Sequence, residues 1–266
     1  MKLIKQIPNL LTLLNLVLGC IGILYAFDER YFLLTKSQHG VYQTYEISNR
    51  LFTSGICIMI AACIDFLDGF VARMLNAQSA IGKQLDSLAD LVTFGVLPAI
   101  IYYQLLERSF FLETGSLYTS KIFLLPALLI AVTACWRLAK FNISEKQNEN
   151  FLGLPSPASA LFVSALPFIA LSNDFGLGNL LLNKWIVYSL VILFSVLMVS
   201  NIKMFSLKMK SFSFKGNEMR YAFLLLSIAL IALLHFTGLA LCILFYILLS
   251  VINNFLPKKD EGIIPK

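Results

Sequence analysis

Apolar runs of about twenty residues recur along almost the whole chain, and this recurrence decides the fold class. A bilayer core offers no water to a stray backbone N–H or C=O, so such runs become membrane-crossing helices with their own internal hydrogen bonds. Stretches 8–27, 49–75, 84–106, 121–141, 155–173, 184–201, 219–235 and 238–256 qualify, and the last two can fold as a tight hairpin around Thr237 and Gly238. Hydrophobic residues make up 58% of the chain and charged residues 14%. A soluble domain is roughly half apolar and a quarter charged. No connection is long enough to hold a soluble domain, and the sequence has no repeat or low-complexity tract. The expected fold is an all-α integral membrane protein of about eight transmembrane helices. They form one domain over residues 1–256, with a catalytic core over about 7–200 and a short cytoplasmic tail at 257–266.

The formal net charge of +6 is read as cytoplasmic loops rather than nucleic-acid binding. With the N-terminus in the cytoplasm and every span crossing, most of the 21 lysine and arginine residues fall on the cytoplasmic side, as the positive-inside rule requires. Both termini are then cytoplasmic, and the bias together with the lack of targeting signals points to a bacterial inner membrane. The segment 201–220 mixes basic residues with Phe205, Phe212 and Phe214, as an ordinary positive-inside loop beside membrane lipids does. The loop 28–48 shows nothing that suggests chemistry.

The basic start and the run ending LVLGC resemble a cleavable leader at Cys20. Asn9, Thr12 and Asn15 interrupt that run and Leu18 suits cleavage poorly, so a retained first span is expected. These three residues follow one another at intervals of three and stay near one helix face. They either hydrogen-bond between helices or line a polar cavity. Cys20, Cys57, Cys63, Cys135 and Cys242 sit in apolar segments without metal-ligand spacing and are expected to be buried free thiols.

Four aspartates, Asp65, Asp68, Asp86 and Asp90, stand in otherwise apolar sequence. Each costs at least a few kcal/mol at bilayer depth unless paired, hydrated or metal-bound. Asp65 and Asp68 lie three apart and share a helix face, and Asp86 and Asp90 lie four apart and do the same. With 76–83 as the turn, two antiparallel helices bring the four carboxylates to one depth. Arg73 and Lys83 are too few to neutralise them, but hard divalent cations can. An oxygen-only donor set suits Mg²⁺, Mn²⁺ or Ca²⁺ rather than zinc. Two such ions about 4 Å apart bridge a phosphate and activate a hydroxyl. Arg73 adds a cation for phosphate oxygens. Carboxylates, metal and arginine together specify a phosphate-bearing substrate, for a hydrolase or a transferase. A cation-coupled transporter also places carboxylates in spans, but lacks support from an inverted repeat or a broken helix pair.

Residues 65–90 carry the pattern D-x-x-D-G-x-x-A-R-x8-G-x3-D-x3-D, at Asp65, Asp68, Gly69, Ala72, Arg73, Gly82, Asp86 and Asp90. This resembles the signature of the CDP-alcohol phosphotransferase family at every fixed position. The resemblance implies a helical membrane enzyme with a six-helix core, often homodimeric, that moves a phosphoryl-containing group from a CDP-linked donor to an alcohol and releases CMP. It implies that Asp65, Asp68 and Asp86 ligate one Mg²⁺ or Mn²⁺ ion, and that Asp68, Asp86 and Asp90 serve a second. Asp90 is then the general base. Gly69 and Ala72 let the nucleotide pack closely, Arg73 holds the donor phosphates, and Gly82 belongs to the same donor-binding set.

The stretches IPNLLTLLNLVLG (7–19), SLADLVTFGVLPA (87–99), RLAKFNI (137–143) and FLGLPSPASA (151–160) resemble the branch that uses CDP-diacylglycerol and L-serine to make phosphatidylserine. VSNIKMFSLK (199–208) is a weaker likeness. Lys140 departs from the expected arginine. Glycerol 3-phosphate or inositol are the alternative acceptors within the family. A serine acceptor carries a carboxylate that wants a cation, and Arg137 and Lys140 are the candidates for it. Their other reading is positive-inside anchoring. Asn9 and Thr12 are candidates for the cavity wall. Ser156 and Ser159 lack a histidine or a nucleophile elbow, so a covalent serine mechanism is not expected, and Pro155 and Pro157 shape the start of the fifth span.

Overall fold

The computed structural model describes residues 6–27, 36–38, 41–43, 50–114, 119–143, 152–204 and 217–255. The main helices are α1 (Ile7–Phe27), α2 (Arg50–Met74), α3 (Ala80–Asp90), α4 (Leu97–Thr114), α5 (Leu129–Ile143) and α6 (Ser156–Ser172), then the short α7 (Leu177–Leu181), α8 (Lys184–Val199) and α9 (Glu218–Phe255). Among the described residues, five helical segments are long and apolar enough to cross a membrane, the last of them broken at His235: Ile7–Phe27, Arg50–Met74, Ala80–Glu113, Lys121–Ile143 and Arg220–Asn254. α6 and α8 are apolar but shorter. The protein is an all-α membrane protein, and the stretches expected from sequence coincide with these elements to within a few residues, except that the third runs on to Thr114. The basic segment 205–216 and the tail 257–266 lie outside the described residues.

The third expected stretch starts earlier than hydropathy suggested. α2 ends at Met74; just beyond it Asn76 takes a left-handed conformation (φ 47°), while Ala77 N–H reaches back to Ala72 O at 2.9 Å. Ser79 then caps α3 by accepting from Gly82 N–H at 2.9 Å. The turn is therefore 75–79 rather than 76–83. α3 runs straight on through a π turn at Leu91–Val96 into α4. Pro98 supplies the physical reason, because it has no N–H to donate and its ring crowds the carbonyl four residues back. The chain just before it shifts to wider bonding, with Leu97 N–H on Val92 O.

α4 is the central post. Leu97, Ile101, Tyr102, Leu105 and Leu106 are fully buried, and Ile130, Ala134, Val163, Val187 and Phe194 complete the core around it. Outward-facing side chains are apolar as well: Leu10, Leu24, Phe66, Val132 and Trp136 are all exposed. This fits a surface that meets lipid tails. It also corrects the expectation for the thiols. Cys57 and Cys242 are buried, but Cys20, Cys63 and Cys135 are exposed. An apolar sequence context cannot separate core from lipid-facing positions when both are apolar.

α1 lies along α2 and against the π turn. A Cβ at Gly19 would collide with Thr93, and one at Gly22 with Leu97, so these glycines set the approach. α9 is two antiparallel arms. Helical geometry breaks at His235 (φ 50°, ψ −121°), the Phe223 and Tyr246 rings lie 6.1 Å apart, and Cys242 Sγ faces Ser227 O at 3.6 Å. The expected hairpin is present, with its break two residues before Thr237. In the loop 28–48 an antiparallel ribbon, β1 (Lys36–Gln38) and β2 (Val41–Gln43), sets Ser37 opposite Tyr42. Nothing in the sequence pattern signalled it.

Candidate active site

Helical spacing puts two carboxylates on α2 and two on α3, and the 75–79 turn folds those faces together. One carboxylate oxygen from each of Asp65, Asp68 and Asp86 lies within 4.8 Å of the others. Asp90 is buried behind them, with its carboxyl within hydrogen-bonding reach of Asp65. Asp68 is 5% exposed and Asp90 8%, so neither can rely on bulk water. Low local dielectric sharpens repulsion among four such groups.

α1 answers part of that demand. Thr12 Oγ1 donates to Asp68 Oδ2 at 2.7 Å, and Asn15 Nδ2 donates to Asp90 Oδ1 at 3.4 Å. Thr93, in the π turn, donates to Asn15 O at 3.1 Å and fixes that part of α1. The polar stripe of the first span thus does both things open to it. It bonds between helices, and Asn9 and Thr12 line a cavity. Asn15 touches the acidic cluster although the sequence placed only its two neighbours among the site residues. Its place on the same stripe was the available signal.

The cavity has a volume of about 530 Å³. Its wall includes Asn9, Thr12, Asp68, Gly69, Ala72, Arg73, Gly82, Lys83 and Asp86. At Gly69 an added Cβ would meet nothing within 4 Å, so that face is open space. Gly82 differs: a Cβ there would sit 3.0 Å from Asn9 Oδ1 and Ser79 Oγ. Arg73 is exposed at the rim and, among the described residues, has no carboxylate partner. The donor set is oxygen only, which suits Mg²⁺ or Mn²⁺. Asp65, Asp68 and Asp86 are the residues that fit one ion.

Across from Asp90 stands Arg137 of α5, within electrostatic range of that carboxylate and of the Tyr246 phenol of α9. Arg137 Nη1 donates to Ser156 Oγ at 3.1 Å. Lys140, one turn further, is exposed and donates to Asn201 Oδ1 at 3.1 Å, which ties α5 to the end of α8. The structure therefore brings Arg137 to the acidic cluster and turns Lys140 away from it. Asn142 holds the end of α5 to α3: its Nδ2 donates to Ser87 Oγ at 2.8 Å, and Lys83 Nζ donates to its carbonyl at 3.3 Å.

Carboxylates in this geometry, with a cation at the rim of an open cavity, fit metal-assisted phosphoryl chemistry. The profile of the CDP-alcohol phosphatidyltransferase family matches residues 5–197. The chain belongs to that family. All four aspartates, Gly69, Ala72, Arg73, Gly82 and Arg137 lie inside the family match, whereas α9 lies outside it. The chain is also similar to proteins named CDP-diacylglycerol–serine O-phosphatidyltransferase. That of Helicobacter pylori is 32% identical over 199 residues, which cover 74% of this chain and 70% of the relative. That of Bacillus subtilis is 37% identical over 127 residues, or 46% of this chain and 66% of the relative. That of Mycobacterium tuberculosis is 37% identical over 158 residues, or 55% of this chain and 49% of the relative.

Proposed function

We propose that the chain is a phosphatidylserine synthase, which transfers the phosphatidyl group of CDP-diacylglycerol to L-serine and releases CMP. The observation that carries this is the meeting of three carboxylates within 4.8 Å, with Asp90 buried behind them and Arg137 across from Asp90. The donor's nucleotide and diphosphate lie in the cavity, against the open backbone at Gly69 and Ala72, with Arg73 on the phosphates. Divalent ions held by Asp65, Asp68 and Asp86, with Asp90 serving a second ion, would neutralise the phosphates and the departing CMP. Thr12 and Asn15 keep Asp68 and Asp90 oriented.

The serine hydroxyl attacks the phosphorus that bears the diacylglycerol. Its proton passes to Asp90, the new O–P bond forms, and the P–O bond to CMP breaks. Arg137, rather than Lys140, takes the serine carboxylate, because Lys140 is engaged with Asn201. The lysine and arginine bias supports a site at the cytoplasmic face of a bacterial inner membrane, with both termini in the cytoplasm. There a lipid donor and a water-soluble alcohol can meet. The serine acceptor is supported by the stretches at 87–99, 137–143 and 151–160 and by the names of the relatives.

The test is CMP release from purified protein given CDP-diacylglycerol and Mg²⁺ or Mn²⁺, with L-serine, glycerol 3-phosphate and inositol offered in turn. Release with serine alone is expected. Release only with another alcohol would move the chain to another acceptor. Release with none of them would overturn the serine acceptor and leave ion-coupled transport open.

A further inference from the structure

The first turn of α6 places two buried serines, one tied to Arg137 and one without a partner. Ser156 and Ser159 are both fully buried, and their spacing of three puts them one above the other on a single helix face. Ser156 Oγ accepts from Arg137 Nη1 at 3.1 Å. Ser159 Oγ has no partner, and neither has Arg137 Nε, which is also buried.

Several other serine and threonine hydroxyls satisfy themselves, although Ser195 Oγ and the Tyr102 hydroxyl are, like Ser159 Oγ, buried without a partner. Ser109, Thr133 and Ser250 each donate to the carbonyl four residues back, and Ser164 to the one three back. The same escape lies open to Ser159, whose N–H already meets Pro155 O at 3.0 Å, yet its hydroxyl does not take it. Buried polar groups left open in this way call for a partner. One open donor, Ser159 Oγ–H, sits at the positive end of a 17-residue helix, and the other, Nε–H, belongs to the Arg137 guanidinium. All of them favour an anion. Asp90 lies within electrostatic range of Arg137, so an anion bound here has the proposed base close by.

We infer that Ser156, Ser159 and Arg137 form the carboxylate subsite for the acceptor. Ser159 is the contact that selects an amino acid over an amino alcohol without a carboxylate. Ser159 Oγ–H and Arg137 Nε–H donate to the carboxylate, and Ser156 holds the guanidinium by its other nitrogen. Tyr246, from the helix outside the family match, lies within electrostatic range of the same guanidinium. This rests on serine being the acceptor.

The test is Ser159→Ala, assayed by CMP release with L-serine and with ethanolamine at fixed CDP-diacylglycerol and metal. The KM for L-serine should rise by roughly tenfold, the effect of one hydrogen bond to a charged group, with kcat nearly unchanged. The KM for CDP-diacylglycerol and the activity with ethanolamine should not move, so the preference for serine falls. Thermal unfolding of the substrate-free protein should hold steady or improve, because the substitution removes a donor that has no partner there. An unchanged KM for L-serine, an equal loss with both acceptors, or a clear drop in unfolding temperature would overturn the inference. Wild-type protein that releases no CMP with L-serine would bring down the proposed function and this subsite together. Protein that uses L-serine and is indifferent to residue 159 would overturn the subsite alone.

Discussion

Thr12→Val tests whether α1 tunes the metal site. Valine keeps the shape of threonine and removes only the hydroxyl that donates to Asp68 Oδ2 at 2.7 Å. Thr12 is 4% exposed and Asp68 5%, so little bulk water reaches the bond. A hydrogen bond to a charged group is worth about 1.5–3 kcal/mol. That converts to a loss of roughly 10- to 100-fold in the affinity of Asp68 for a cation, the range seen when outer partners of ligating groups are removed. The assay is CMP release at saturating CDP-diacylglycerol and L-serine across a titration of free Mg²⁺ or Mn²⁺. The half-saturating metal concentration should rise by that factor, the maximal rate should recover at high metal, and Thr12→Ser should behave like wild type. A lower maximal rate at an unchanged half-saturating concentration would refute the reasoning, as would Thr12→Ser failing as badly as Thr12→Val.

Asp90→Asn should abolish CMP release while the thermal unfolding of the purified protein stays close to wild type; retained turnover would remove Asp90 as the base. Gly69→Ala should leave stability unchanged, because its Cβ meets nothing within 4 Å, and should raise the KM for the CDP-linked donor severalfold. Gly153→Ala should lower stability by about 1–3 kcal/mol from backbone strain alone, read in a denaturation series. Gly153 has φ +73°, and a Cβ there would stand 2.5 Å from Met198 O.

The acidic site was legible because its logic is local. Intervals of three and four put Asp65 with Asp68, and Asp86 with Asp90, on shared faces whatever surrounds them, and a short turn folds the faces together. The stripe of Asn9, Thr12 and Asn15 was legible as a stripe, but its targets depend on how deeply α1 seats against Thr93 and Leu97. The partner of Lys140 was out of reach for the same reason. The charge of Lys140 and its distance from Arg137 are readable, whereas Asn201 lies 61 residues away in sequence. The π turn after Asp90 follows from Pro98 only once the helix is known to be continuous through it. The open hydroxyl of Ser159 has no sequence signature, since a serine with a partner and one without are written alike.

The bonds from α1 to the acidic cluster also bear on how the chain is assembled. Synthesis runs from the N-terminus, so α1 is made before the helices that carry the aspartates. Asp68 and Asp90 therefore arrive beside a helix that already presents Thr12 and Asn15. A carboxylate inserted into hydrocarbon alone is expensive, and one that docks onto a waiting donor is less so. The first helix thus acts as a template for insertion: moving its stripe by one residue would leave later helices to enter the bilayer with their charges unreceived.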